Sequence, residues 1–520
     1  MSGRGAARAP VALLLALYVL AFPYHPGLRS PNELARLWQA RAWVDHGTLE
    51  MNGALQDYGR VGDLSVKDGR YYSSKAPLLS LAAVPVYAAL EALAGGDGHR
   101  VSELWLVYLS RLLLTVAPTL PLLLLLHRFL AAQGLPWPLP LLLTATYALG
   151  TLAFSYSLLF MSHQASAVLL FAGFYALWQV GRGAWRERGY LAAGACAGAA
   201  LAAEYTGALA VLALVLYAAL QVLLRPELPL RERLVRLARG GGLALVGALP
   251  FVLGLMAYHQ AAFGHPLESG YKHLADAAYQ PWHLGGFLGI RLPDPRALEL
   301  SLFSPLRGLF ALSPVLLLAL PGLWLLGRRK DSEGRALFWL TGVLCLGYAY
   351  FTASFSYASW GWTTGPRHLT GLVPFLMLPV GLALAGLQRR GGPWAGVGAG
   401  LCAASVLVTG LLTLVNYVPD DVSDGLFALA LPLFRAGSLP PTVLSLFGVA
   451  SALPGALLVL GVVAMAAWAL LRLSRTPAAV AAGLAVVAAV LVLHAASARH
   501  DAADAGAVRF LQSVWLVRAD

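Results

Sequence analysis

The chain has 520 residues, 58% hydrophobic and only 12% charged, with a formal net charge of +12 and a mean hydropathy of +0.68. Those values exclude a soluble domain built round one core and indicate an all-α, polytopic transmembrane helix bundle. The excess charge sits in short loops between apolar stretches, so it reports topology rather than an affinity for nucleic acid.

The first apolar run, Val11 to Tyr24, follows Arg4 and Arg8 and shows no small-x-small cleavage site before His25-Pro26. It reads as an uncleaved first helix with a cytoplasmic N-terminus. The three cysteines, Cys196, Cys345 and Cys402, lie in apolar stretches without CxxC spacing, which gives neither a disulfide framework nor a zinc motif.

After the first helix comes a large outer loop, residues 25–102. Its segment from Pro31 to Pro77 is the densest mixture of acids, bases and aromatics in the chain. Pro31 with Glu33 in the first turn predicts a helix over Asn32 to His46, lying along the membrane interface. Lys75, in YYSSKAP beside Tyr71 and Tyr72, suits a phosphate headgroup, although a lysine at a helix lip also snorkels without further purpose. Ala76–Leu93 contains two prolines and Glu91. Read as a crossing, it would leave the three arginines of GRGAWRERG outside; placed at the outer interface, it restores a positive inside throughout.

The remaining spans are expected at about 103–127, 138–155, 163–181, 189–203, 206–224, 241–262, 309–327, 335–354, 368–388, 394–417, 447–472 and 478–496. With the first helix at 11–24 they make roughly thirteen crossings. The loops then assigned to the cytoplasm carry Arg182, Arg186 and Arg188; Arg225 through Arg239; Arg328, Arg329 and Lys330; Arg389 and Arg390; and Arg472 and Arg475. The outer side receives 25–102, 263–308, 355–367 and the acidic loop Pro419–Leu439 with Asp420, Asp421 and Asp424. Gly194/Gly198 and Gly396/Gly400 have the GxxxG spacing that lets membrane helices approach closely.

Further outer helix mouths carry candidate chemistry. LLFMSHQAS offers His163 and Gln164, and AAEYTG places Glu204 and Tyr205 between two closely spaced helices. SWGWTTGPRH brings Trp360, Trp362, Arg367 and His368, and SLFSPLRG adds Arg307. Arg36 accompanies Glu33 on the first loop helix. A carboxylate at Glu204 is costly unless paired or solvated, and a guanidinium binds two phosphate oxygens at once. Each residue also has a structural alternative: Glu33 favours the positive end of a helix, and the aromatics can form an interface belt. Their convergence on one face is the functional signal. Glu33, His163 and Glu204 could hold a divalent ion, but the spacing requires none, so the cofactor is left unassigned.

The layout resembles the C-type glycosyltransferases (GT-C) that use polyprenyl-phosphate sugars, in the family 39-like branch of protein O-mannosyltransferases and aminoarabinose transferases. The matching pieces are PNELARLWQARAWVDHG, KAPLLSLAAVPVY, ALGTLAFSYSLLFMSHQAS, AAEYTGALAVL and YASWGWTTGPRHL, within residues 1–390. The chain departs from the family where Asn32 precedes Glu33, where His163 or Gln164 stands for an aspartate, and where Glu204-Tyr205 replaces a lysine element.

The resemblance implies a GT-C-like catalytic module over 1–390 and further helices with an outer tail over 391–520. It implies transfer of a sugar from a polyprenyl-phosphate donor to a hydroxyl on a lipid, glycan or protein, with inversion, at the outer face of the cytoplasmic (inner) membrane. Glu33 is then the general base, Lys75, Arg367 and Arg307 bind the donor phosphate, and Arg36, Tyr71, Tyr72, His163, Gln164, Glu204, Tyr205, Trp360, Trp362 and His368 line the cavity. The rival readings are a lipid-linked sugar flippase and a non-enzymatic scaffold.

Overall fold

The computed structural model describes residues 5–28, 30–286, 289–355 and 361–515. It is a helix bundle. Among the described residues, eight helices are long and apolar enough to cross a bilayer: Glu103–Ala132, Ser162–Gly181, Tyr205–Leu223, Leu230–Phe263, Ser332–Ser354, Gly392–Val415, Leu453–Leu473 and Pro477–Ser497. Shorter apolar helices run Arg8–Leu20, Leu78–Leu93, Leu139–Gly150, Pro314–Gly327 and Leu426–Arg435. Leu230–Phe263 and Pro477–Ser497 are mostly exposed and apolar, as expected of lipid-facing helices.

The expectation of about thirteen crossings therefore meets eight helices of full length, and the others are short or broken. The stretch expected at 138–155 stops at Gly150 and restarts at Leu152. Between them Thr151 is extended, and its hydroxyl donates to the Tyr147 carbonyl at 2.6 Å and accepts from the Ala153 amide at 3.3 Å. The stretch at 309–327 breaks at Ser313-Pro314, where proline supplies no amide hydrogen. The freed Val315 amide donates to Ser405 Oγ at 3.0 Å, so the irregular backbone is satisfied inside protein.

The sequence places the Pro419–Leu439 segment as an acidic loop on the outer side. Instead it folds into Leu426–Ala430 and Leu431–Arg435, and Asp424 is fully buried. The Asp424 carboxylate accepts from the amides of Leu426 and Phe427, lies 2.7 Å from His494 Nδ1, and accepts from Ser497 Oγ at 3.1 Å. This ties the segment to the Pro477–Ser497 helix.

The helix-packing glycines act as expected. A Cβ on Gly194 or Gly396 would collide with the backbone of Ala244 or Ala479 respectively. These contacts join Arg188–Ala203 to Leu230–Phe263 and Gly392–Val415 to Pro477–Ser497.

The bundle has two chemically different ends. The Ser162–Gly181 helix has 20 residues, about 30 Å at 1.5 Å per residue. At its C-terminal end Trp178 Nε1 donates to Glu333 at 2.9 Å, Gln133 does so at 2.8 Å, and Arg329 donates to Gln133 at 2.7 Å. Arg329 and Glu333 come from the loop after 309–327, which the sequence reads as cytoplasmic. The other end of the same helix opens on His163.

Candidate functional site

At that end the first loop supplies Glu33, Arg36, Asp63 and Lys75. Pro31–Asp45 forms a helix as predicted, with proline in its first turn. It does not lie along an exposed interface, because every residue from Asn32 to Ala42 is buried. Its charged side chains tolerate burial through partners. Arg41 lies over the Tyr58 ring at 3.7 Å, and Arg36 donates from Nη1 to the Ala76 carbonyl at 3.2 Å and from Nη2 to Ser162 Oγ at 2.9 Å.

Glu33 is 0% exposed. Oε1 accepts from Arg111 Nε and from the Phe160 amide, each at 2.7 Å, and Oε2 accepts from Arg111 Nη2 at 2.7 Å and from the Tyr417 hydroxyl at 3.0 Å. Four donors match the acceptor capacity of a carboxylate. Burial pushes this carboxyl up, but Arg111, the Phe160 amide and the Tyr417 hydroxyl hold it below its usual value. The arrangement locks an anion in place; a general base needs an accessible lone pair. Directly after Arg111 the helix takes a π turn over Leu112–Val116, a local widening often found beside functional groups.

A two-stranded hairpin follows, β1 (Leu64–Lys67) and β2 (Arg70–Ser73), with Leu64 opposite Ser73. That register puts Asp63 next to Ser74, whose amide donates to the Asp63 carbonyl at 3.0 Å, and so sets the Asp63 side chain beside Lys75. The Ser73 amide donates to Gln39 Oε1 at 3.1 Å, pinning the hairpin to the loop helix. Lys75 Nζ lies 3.0 Å from Asp63 Oδ1, in a pair whose side chains are 7% and 27% exposed. Burial pushes the Asp63 carboxyl up, while Lys75, then Arg367 and Arg36, hold it below the usual carboxylate range. One cation thus pairs with this partly exposed carboxylate, and two more act on it electrostatically.

The second wall comes from helix mouths. Glu204 Oε2 accepts from Ser162 Oγ at 2.6 Å and lies 3.3 Å from His163 Nδ1. The His163 ring meets His368 edge-on at 5.2 Å and Tyr156 at 5.3 Å. Tyr271 closes the side nearest Lys75, with its ring 5.5 Å from Nζ, and His283 stacks on it at 4.5 Å. Burial first, then Lys75, pushes the His283 imidazole down to about 4, so it is neutral at pH 7.

The structure therefore brings together Lys75, Arg36, Arg367, His163, Glu204 and His368 from the residues expected by sequence. Others lie elsewhere. Gln164 is buried in the bundle, donating to Thr119 Oγ1 at 3.2 Å and the Tyr147 hydroxyl at 3.4 Å. Tyr72 packs on Phe263 and Tyr258, and its neighbour Tyr71 faces the opposite side of the strand. Tyr205 borders the site through Tyr271 but shares its hydroxyl with His259 Nε2 at 2.8 Å. Arg307 is paired with Asp420 at 2.9 Å, and Trp362 lies against Phe510. Trp360 falls outside the described residues.

Sequence reasoning passed over Asp63, Ser162, Tyr271 and His283. Arg111 did carry a signal, as a charged residue inside the apolar run WLVYLSRLLL. A cavity of about 380 Å³ lined by Trp105, Pro440, Thr442, Leu446 and Trp515 is separate from this cluster.

No protein-family model and no curated protein matches the sequence. The structure is similar to the crystal structure of ArnT from Cupriavidus metallidurans in the apo state, with a TM-score of 0.49 and 16% identity over 94% of this chain and 78% of that one. It is also similar to the crystal structure of ArnT from Cupriavidus metallidurans bound to undecaprenyl phosphate, with a TM-score of 0.46 and 15% identity over 91% and 77% of the two chains.

Proposed function

We propose that the chain is a membrane glycosyltransferase of the GT-C type. It moves a sugar from a polyprenyl-phosphate donor to a hydroxyl acceptor at the outer face of the cytoplasmic membrane. The observation that carries this reading is the Lys75–Asp63 pair at 3.0 Å, with Arg367 and Arg36 near enough to act on the same carboxylate, at helix mouths whose chemistry suits a lipid phosphate. Three cations match the charge that grows on a departing phosphate as the glycosidic bond breaks. Arg36, held by Ala76 and Ser162, is set by its neighbours before any ligand arrives.

In the proposed reaction the acceptor oxygen attacks the anomeric carbon opposite the phosphate. The carbon–oxygen bond to phosphate breaks with its electron pair going to the phosphate, and the acceptor proton passes to a carboxylate. Configuration inverts in that single displacement, without a covalent enzyme intermediate. Asp63 is the carboxylate we assign to the proton, because it is partly exposed and borders the cations, whereas Glu33 is saturated by donors. Glu33 instead positions the frame.

The test uses purified protein in liposomes, a labelled polyprenyl-phosphate sugar and a membrane extract as acceptor. Lys75→Met is expected to lower label transfer by about 10²–10³-fold, the range found when one transition-state donor is removed. Equal transfer by a folded Lys75→Met protein removes the assignment. Movement of the labelled lipid across the bilayer without transfer would favour the flippase.

Orientation has its own check. A cysteine replacing the exposed Arg70 beside the hairpin turn is expected to react with an impermeant thiol reagent in intact cells, and one replacing Gly183 is expected to react only after lysis. The reverse pattern would put the site in the cytoplasm.

A further inference from the structure

We infer that His163, Glu204 and His368 form a binding site for a divalent metal of the zinc class. The site is made by these side chains alone, so it binds metal whether or not sugar transfer is the reaction.

The three residues each offer a ligand atom, and all three atoms lie within 4.8 Å of one another. In a tetrahedral zinc site with bonds near 2.1 Å, ligand atoms sit roughly 3.4 Å apart. His163 Nδ1 and Glu204 Oε2 already stand at 3.3 Å. His368 offers the third ligand atom within the same 4.8 Å. Two imidazoles and one carboxylate make a ligand set of a kind that zinc uses when it keeps a fourth position open. Glu204 and His368 are each partly exposed, which leaves that position to water or to a ligand oxygen.

The surroundings favour holding an ion. Ser162 Oγ donates to Glu204 Oε2 at 2.6 Å and itself accepts from Arg36 Nη2 at 2.9 Å, an outer layer that fixes the carboxylate. The His163 ring is held edge-on by Tyr156, and the His368 ring by Phe351 at 5.7 Å and Phe355 at 5.9 Å.

The same surroundings select the kind of ion. Arg36, Lys75 and Arg367 are close enough to act electrostatically on His163. A hard cation such as magnesium or calcium, bound through charge and oxygen alone, is disfavoured there. An ion that gains its affinity from imidazole nitrogen is not excluded in the same way. Glu33, which the sequence groups with His163 and Glu204, is outside the set because Arg111 occupies it.

The experiment strips the purified full chain with chelator and measures equilibrium zinc binding, with metal content read by mass spectrometry. One zinc per chain is expected, with no competition from millimolar magnesium or calcium. His163→Gln and His368→Gln are expected to weaken binding by more than the roughly 10–100-fold that loss of an outer-layer partner costs, and His265→Gln, in an exposed loop, to leave it unchanged. A wild-type chain that holds no zinc after gel filtration, or one whose zinc survives the His163→Gln/His368→Gln change, overturns the site. Should the variants misfold, cobalt substitution of the wild-type chain decides. Intense visible bands of a four-coordinate ion support the site, and the weak bands of a six-coordinate surface ion overturn it.

Discussion

Glu33→Gln is expected to destabilise the folded chain by about 3–5 kcal/mol, the cost of leaving a buried charge without its partner. Arg111 would keep its guanidinium inside the protein, where both of its bonds to Glu33 are 2.7 Å long. Arg111→Met should cost a similar amount for the converse reason. The double variant should lose clearly less than the sum of the two, because the remaining pair is uncharged and the coupling energy between contacting residues is roughly 0.5–3 kcal/mol. Unfolding in mixed micelles with increasing dodecyl sulfate measures all four corners of the cycle. Additive losses would show that the pair contributes nothing as a pair.

The pH dependence follows from the same contact. The Glu33 carboxyl is held below its usual 4.5, so the folded state favours the ionised form. Its contribution is complete above the unfolded value and is lost as pH falls through the lower, folded value. Neutral and mildly acidic buffers should therefore leave the wild-type stability almost unchanged, and Glu33→Gln should remove the loss seen in stronger acid.

Asp63→Asn is expected to reduce sugar transfer by about 10²–10⁴-fold, the range for removing a group that accepts a proton in the transition state. Donor binding should remain within about threefold, because Lys75, Arg36 and Arg367 are all kept. The wild-type rate should stay level as pH falls toward the usual carboxylate value of 3.8 and drop only below it, since Lys75 and its neighbours hold Asp63 ionised. A variant that keeps its transfer rate and the same acid limb would reassign Asp63 to holding Lys75 in position.

Which parts of this site the residues announced, and which they concealed, has a physical reason. Proline with an acid in the first turn announces the Pro31–Asp45 helix, because both signals act within one turn. Apolar runs and GxxxG spacing announce the helices and two of their contacts for the same local reason. Lys75, His163, Glu204, Arg367 and His368 could be grouped because each stands at the end of an apolar stretch, and alternation of the spans brings those ends to one face.

What stayed hidden depends on pairing over distance. Glu33 looks the same in sequence whether it meets an acceptor hydroxyl or Arg111, and only the tertiary contact decides. Asp63 gains its place from hairpin register, where a shift of one residue would turn it away. The breaks at Thr151 and Pro314 interrupt stretches that hydropathy alone presents as continuous.

Tyr417 and Trp515 give the fold a temporal constraint. Tyr417 completes the ring of donors on Glu33, and Trp515 lies against His25 at 4.3 Å, so groups made near the start of synthesis are finished by groups made hundreds of residues later. While the ribosome is still extending the chain, Glu33 and Arg111 sit half-assembled in the inserting protein. A nascent intermediate released early would present a charged, unsealed seam.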